Sequence, residues 1–170
     1  GKGGAEVVTI GTPSGWHLEP AVEAMEAGAH VLCEKPLEVT VERIDRMIES
    51  AKKANRKLGG VLQMRTFSGS RKAKELLASG ALGKILVADA YIKYYRTQQY
   101  YDGDAWRGTF ALDGGGATMN QGIHWVDLIQ WLIGDAEAVY ASAATLGHAI
   151  EVEDINHCIV KWPGGGQGMI

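Results

Sequence analysis

Two short apolar runs, Val7-Val8-Thr9-Ile10 and His30-Val31-Leu32-Cys33, flank a stretch of helical spacing from Leu18 to Ala27, and this alternation restricts the chain to folds with a parallel sheet. Gly11-Thr12-Pro13-Ser14-Gly15 ends the first run as a turn, and Gly28 suits the left-handed residue that stops the helix. The unit then repeats. Thr40 can cap a helix with Glu42 in its first turn and Ile44, Met47, Ile48 and Ala51 on one face, ending near Asn55 before Leu58 to Gln63. Successive short buried strands joined by helices imply right-handed crossovers.

After Gln63 the period changes. Ser70 to Ala78 reads as a third helix closed by Gly80, and Lys84 to Lys93 as a long strand. Tyr94 to Trp106 mixes tyrosine and tryptophan with arginine, glutamine and aspartate, which suits either the lining of a polar pocket or a loop packed on a sheet. Asp113-Gly114-Gly115-Gly116 leads into an apolar helix, Ala117 to Ile133, expected to be largely buried and stopped by Gly134. Ala138 to Leu146 and Asp154 to Trp162 read as strands, with Pro163 and glycines turning into a return strand. The fold class is α/β followed by α+β, with a boundary between 63 and 70 that divides the chain into segments 1–65 and 66–170.

Composition removes several classes of function. Seventeen basic and 20 acidic residues give a net charge of −3 with no dense basic cluster, so nucleic acid is not an expected partner. No run of about 18 apolar residues calls for a membrane. Cys33 and Cys158 are far apart, which fits free thiols, a reducing compartment and a cytoplasmic location. There is no Gly-x-Ser-x-Gly elbow and no Gly-Lys-Ser/Thr phosphate loop. His30, His148 and His157 have no ligand-like spacing, and no metal is expected around Glu151, Glu153, Asp154 and His157.

Four clusters can carry chemistry. Glu34-Lys35-Pro36 follows the second strand, at the sheet edge where open parallel sheets bind ligands, and the proline restrains the backbone of Lys35. A surface ion pair is the plainer alternative. Asn120 and His124 lie four residues apart on one helix face, where a neutral imidazole can accept a proton from an alcohol and the amide can orient it. They can equally be core groups satisfied by the backbone. The preceding glycines favour function, because they allow a ligand close to the backbone. Asp127 can orient His124 or face another element. Thr12, Pro13 and Ser14, with His17 beyond them, suit ribose or phosphate contacts or a simple helix cap. Trp106 and Arg107 can stack on and bind an anion, or anchor their loop.

In this order Thr12-Pro13 with His17, Gly28 through Pro36, Trp106-Arg107, and Gly114-Gly115-Gly116 leading to Asn120-Gln121-Gly122-Ile123-His124 resemble the Gfo/Idh/MocA oxidoreductases over nearly the whole chain. The resemblance implies the C-terminal part of a Rossmann-type parallel sheet, then part of an open, mainly antiparallel sheet whose face supports homo-oligomers. It implies NAD or NADP as cofactor and a sugar or polyol as substrate. Lys35 matches the family lysine that touches nicotinamide ribose and substrate, and His124 matches the proton acceptor. Thr12, Pro13, His17, Glu34, Trp106 and Arg107 fall on the cofactor side. Position 120 is often aspartate in the family; Asn120 cannot share in proton transfer but can hold a substrate hydroxyl. The family's opening Gly-x-Gly-x-x-Gly/Ala turn is not among these residues, so the chain reads as a fragment, inactive in isolation. The expected parent activity is hydride transfer from a secondary alcohol. Internal redox in a glycosidase or epimerase of this fold, and a non-catalytic sensing or scaffold role, are the alternatives.

Overall fold

The computed structural model describes residues 4–170; the first three positions of the expected 1–65 segment lie outside it. Strands β1 (Val7–Ile10), β2 (His30–Cys33) and β3 (Leu58–Gly60) form a parallel sheet in that order. Register pairs Val7 with His30 and Ile10 with Cys33, so β1 and β2 end level with each other. Helices α1 (Leu18–Glu26) and α2 (Val41–Ala54) are the crossovers. Leu18, Ala21 and Met25 of α1 and Met47 and Ala51 of α2 close a core over Ile10, Val31 and Cys33. The helix signals act as read: the Thr40 hydroxyl accepts from the Arg43 amide at 3.3 Å, and Asn55 ends α2 at φ 52°. The strands are buried on this face only. Val7 and Leu32 remain 57% and 41% exposed, because both helices pack against the side carrying Val31 and Cys33.

Helix α3 (Ser68–Ala78) follows a short 3-10 turn at Gln63–Thr66, and the aromatic loop contains a five-residue helix α4 (Gln98–Asp102). Strands β4 (Ala138–Ala144), β5 (Ile155–Lys161) and β6 (Gln167–Met169) form an antiparallel sheet. The expected strand from Lys84 to Lys93 is corrected to an extended segment with one isolated bridge, Val87 to Gln167. It runs beside β6 through Ala88 and Ala90 amides donating to Gln167 and Met169 carbonyls at 3.1 and 2.8 Å. β6 is three residues long, and the Asp89 carboxylate takes the Met169 amide at 2.8 Å. A short partner and a side chain standing in for a main-chain acceptor leave no room for a longer ladder.

The expected long buried helix is also corrected. A π-helical turn at Thr118–Gly122 precedes α5 (Ile123–Ile133), and of these residues Gly122 and Ile129 alone are fully buried. One side of α5 packs through Ile129, Trp125 and Ile133 on Val160 and Trp162. Among the described residues no helix is long and apolar enough to cross a membrane.

The three glycines ahead of the π turn admit protein atoms, which corrects their reading as a place for ligand approach. A Cβ on Gly114 would stand 2.9 Å from the Val39 side chain, on Gly115 2.8 Å from Met119, and on Gly116 1.6 Å from the Glu153 carbonyl oxygen. The Glu153 carboxylate closes this junction, accepting from the Gly116 and Thr118 amides at 2.9 and 3.0 Å. Gly116→Ala therefore lowers unfolding free energy by about 3 kcal/mol, since backbone on both sides must move. Gly69→Ala, in open space on α3, leaves it unchanged or slightly raised. Urea denaturation of the two variants reads the difference.

Candidate active site

The level carboxyl ends of β1 and β2 deliver two turns to one edge of the parallel sheet. The turn after β2 carries Glu34 and Lys35, and the Lys35–Pro36 peptide bond is cis. The Lys35 ammonium donates to the Asn120 carbonyl oxygen at 2.5 Å and reaches its side-chain Oδ1 at 3.4 Å. Residues 85 positions apart thus bridge the end of the parallel sheet to the turn that opens α5. His124 follows one turn later, and its Nδ1 is buried without a hydrogen-bond partner. Burial pushes its pKa below the usual imidazole range, and the Lys35 charge pushes it further, against the weaker pull of Glu34 and Asp127. Burial also lowers the Lys35 pKa, opposed by Glu34 and Asp113. The resulting pair is a neutral imidazole in the field of a half-buried ammonium, which is what proton abstraction from an alcohol requires.

Asp127 does not orient His124. It forms a two-pronged pair with Arg65, whose Nε lies 2.8 Å from Oδ2. Of the two readings left open for Asp127, contact with another element is the observed one. Arg65 sits in the 3-10 turn after β3, and sequence spacing offers no signal of this pairing across 62 positions.

The geometry of His17 corrects its expected contact with the cofactor. Its ring is 1% exposed, with Nε2 at 2.8 Å from the Thr12 carbonyl and Nδ1 at 3.0 and 3.2 Å from the Pro36 and Leu37 carbonyls. It ties the turn after β1 to the turn after β2 and supports Lys35 from behind. Thr12 stays exposed, donating to the Trp16 carbonyl at 3.0 Å. Arg107 pairs with Asp104 at 2.8 Å and lies over the rings of Tyr100 and Trp106, with its guanidinium carbon 4.2 and 4.9 Å from their centroids. Here Trp106 and Arg107 anchor their own loop.

Glu38 was not singled out from sequence, yet it is fully buried at the centre of a network. It accepts from the Leu18 and Val39 amides at 3.1 and 2.8 Å and from Arg43 at 2.9 Å. Burial pushes its pKa up, but the bond from Arg43 and the two amides outweigh that and hold it below the ordinary carboxylate value. Arg43 also reaches the Gly15 carbonyl at 3.1 Å, so one ion pair fixes both turns and the starts of both helices. A glutamate three residues after Lys35 and five before an arginine is too common a pattern to reveal this. Glu151 accepts from the Phe110 amide at 3.1 Å, and Asp154 pairs with His148 at 2.8 Å, so these carboxylates serve loop structure.

The edge fits the nicotinamide end of a dinucleotide. Nothing lies within 4 Å of where a Cβ on Gly11 would stand, which leaves open space beside Thr12 at the carboxyl end of β1. Fold and site together define a nicotinamide-dependent oxidoreductase architecture. Residues 2–60 match the oxidoreductase family with an NAD-binding Rossmann fold, and residues 70–170 match the GFO/IDH/MocA C-terminal domain. The chain belongs to the Gfo/Idh/MocA oxidoreductase family, whose cofactor is NAD or NADP.

Among its relatives, the D-xylose 1-dehydrogenase [NADP(+)] of Haloarcula marismortui is 32% identical over 150 residues, 88% of this chain and 41% of that protein. The WlbA dehydrogenase of Bordetella pertussis, solved with NADH and UDP-GlcNAcA, superposes with a TM-score of 0.95 at 38% identity over 99% of this chain and 49% of that one. The WlbA enzyme of Chromobacterium violaceum, with the same two ligands, gives 0.92 at 41% identity over 96% and 47%. The chain therefore spans less than half the length of these relatives.

Proposed function

We propose that the protein containing this chain oxidises a secondary alcohol on a sugar, sugar derivative or polyol with NAD or NADP, and that a nucleotide-linked uronic acid is the first substrate class to test. The bridge from Lys35 to Asn120 carries this reading, because it brings the end of β2 to the helix that bears the neutral His124. The relatives bound to UDP-GlcNAcA support the substrate class.

In this reading His124 takes the hydroxyl proton on Nε2, the ring nitrogen opposite the buried Nδ1. Lys35 holds the same oxygen and stabilises its developing negative charge, and Asn120 holds a neighbouring hydroxyl. NAD or NADP would supply a hydride acceptor: the carbon bearing the deprotonated oxygen would give up its hydrogen as hydride while that oxygen's electron pair closes the carbonyl. Thr12, Pro13, Glu34 and Lys35 would contact the cofactor, with His17 buried behind them. Segments 1–65 and 66–170 then serve as partial cofactor and substrate domains. The free thiols of Cys33 and Cys158 support a cytoplasmic setting. Exposed Tyr140, Ile159 and Met169 on the antiparallel sheet, 72%, 51% and 47% accessible, support its covering by a second copy.

The test uses the full-length protein, NAD or NADP, and a panel of UDP-GlcNAcA, xylose, levoglucosan and inositol followed by NADH or NADPH absorbance. Absorbance should rise with the nucleotide sugar and more weakly with free sugars. Sugar conversion without absorbance change would move the assignment to internal redox chemistry, and binding without conversion would remove catalysis.

A further inference from the structure

Asp113 is 2% exposed, and its carboxylate stands one hydrogen bond behind Asn120. The Asn120 Nδ2 donates to Asp113 Oδ1 at 3.1 Å, and the Gly108 amide donates to Oδ2 at 3.0 Å. On its other side Asn120 presents Oδ1 to the Lys35 ammonium at 3.4 Å. An amide has one accepting and one donating end, so a carboxylate on one side and an ammonium on the other permit a single orientation. Rotation by half a turn would set donor against donor at Lys35 and acceptor against acceptor at Asp113.

The carboxylate itself is fixed from both halves of the chain. Its main-chain amide donates to the Thr109 carbonyl at 3.1 Å, the preceding Leu112 carbonyl accepts from Gly15 at 2.9 Å, and Gly114 at φ 83° lies against Val39. Any movement of Asp113 would disturb the turn after β1 as well as the entry to α5.

We propose that Asp113 is a positioning residue for the Lys35–Asn120 pair, holding the amide oxygen toward the ammonium and supplying from one step behind the negative charge that asparagine lacks. The proposal rests on the dehydrogenase reading only for its consequence in turnover; the coupling of Asp113 to Lys35 is a property of the protein alone. Burial raises the Asp113 pKa, while the Gly108 and Asn120 bonds and the Lys35 charge oppose that rise. Glu34 is the other carboxylate that acts on Lys35.

The decisive measurement is the pH profile of Lys35 amine labelling, read by mass spectrometry on the folded full-length protein without substrate or cofactor. Asp113→Asn should move the Lys35 midpoint down by about half to one pH unit, as loss of a nearby anion disfavours the ammonium. Adding Asn120→Asp to that variant moves the charge forward and should return the midpoint to the wild-type value or above. A role confined to holding the Gly108 loop predicts neither the shift nor its rescue, and an unchanged midpoint in a folded Asp113→Asn protein overturns the proposal.

Asn120→Asp alone provides a second arm should Asp113→Asn fail to fold. It places two carboxyl groups at hydrogen-bond distance, which must share a proton, so an added carboxylic acid band should persist to neutral pH in the infrared difference spectrum. Absence of that band also overturns the proposal. If the midpoint shift appears in a protein that turns over no sugar, the coupling stands and the dehydrogenase reading falls.

Discussion

Lys35→Ala in the full-length protein is expected to lower kcat for sugar oxidation about a thousandfold while leaving the fold intact. The size follows from the role proposed for the ammonium: removing one preorganised donor aimed at a developing oxyanion costs about a hundred- to a thousandfold in kcat. Lys35 also bridges the two halves of the site, so misplacement of Asn120 adds to the loss. Stability should change little, because Lys35 lies on a turn and its pKa is already lowered by burial, which marks a cation whose desolvation opposes its favourable contacts. Lys35→Arg should not restore activity, since a planar fork cannot stand where a compact ammonium meets a main-chain carbonyl at 2.5 Å. Steady-state kinetics with circular dichroism as a folding control decides the matter; wild-type turnover in a folded Lys35→Ala protein removes the lysine from the mechanism.

The parallel half of the fold was legible because its signals are local. The Thr40 cap, the left-handed Asn55 and the apolar face ending in Met47 and Ala51 each act within a few residues, and each stands where the periodicity puts it. The antiparallel half was less so. Residues 84–93 carry strand-forming side chains, but whether they form a ladder depends on a three-residue partner 80 positions away and on an aspartate that intercepts one of its amides. Apolar spacing from Ala117 to Ile133 signals a helix, but neither the π turn nor the half-burial of α5 follows from hydrophobicity, since both depend on what packs against it.

At the site the same division holds. Lys35, Asn120 and His124 could be named because strand ends and helix spacing place them, whereas Glu38, Asp113 and Arg65 act through partners distant in sequence or through burial. His17 was visible as a residue but not in its role, because a ring that bonds three backbone carbonyls differs from one that faces a ligand only in its surroundings.

Replacing His124 by glutamine should reduce kcat about a hundred- to ten-thousandfold, the range for loss of a positioned general base. The pH dependence carries the stronger test. Burial, and then the Lys35 charge, hold the His124 pKa below its ordinary 6.5, so the imidazole stays neutral through neutrality and into mildly acidic solution. The acid limb of kcat/KM in the oxidation direction should therefore lie below pH 6.5, and Lys35→Ala should move the imidazole titration, followed by NMR, back up toward that value. The stability effect has the matching sign. With a folded pKa below the unfolded one, the native state binds fewer protons, so unfolding free energy falls as pH drops below 6.5 until the folded pKa is passed. His124→Gln should flatten that part of the stability profile. An imidazole titrating at or above 6.5, or one indifferent to Lys35, would mean that the two groups do not share a site, and proton abstraction would have to be assigned elsewhere.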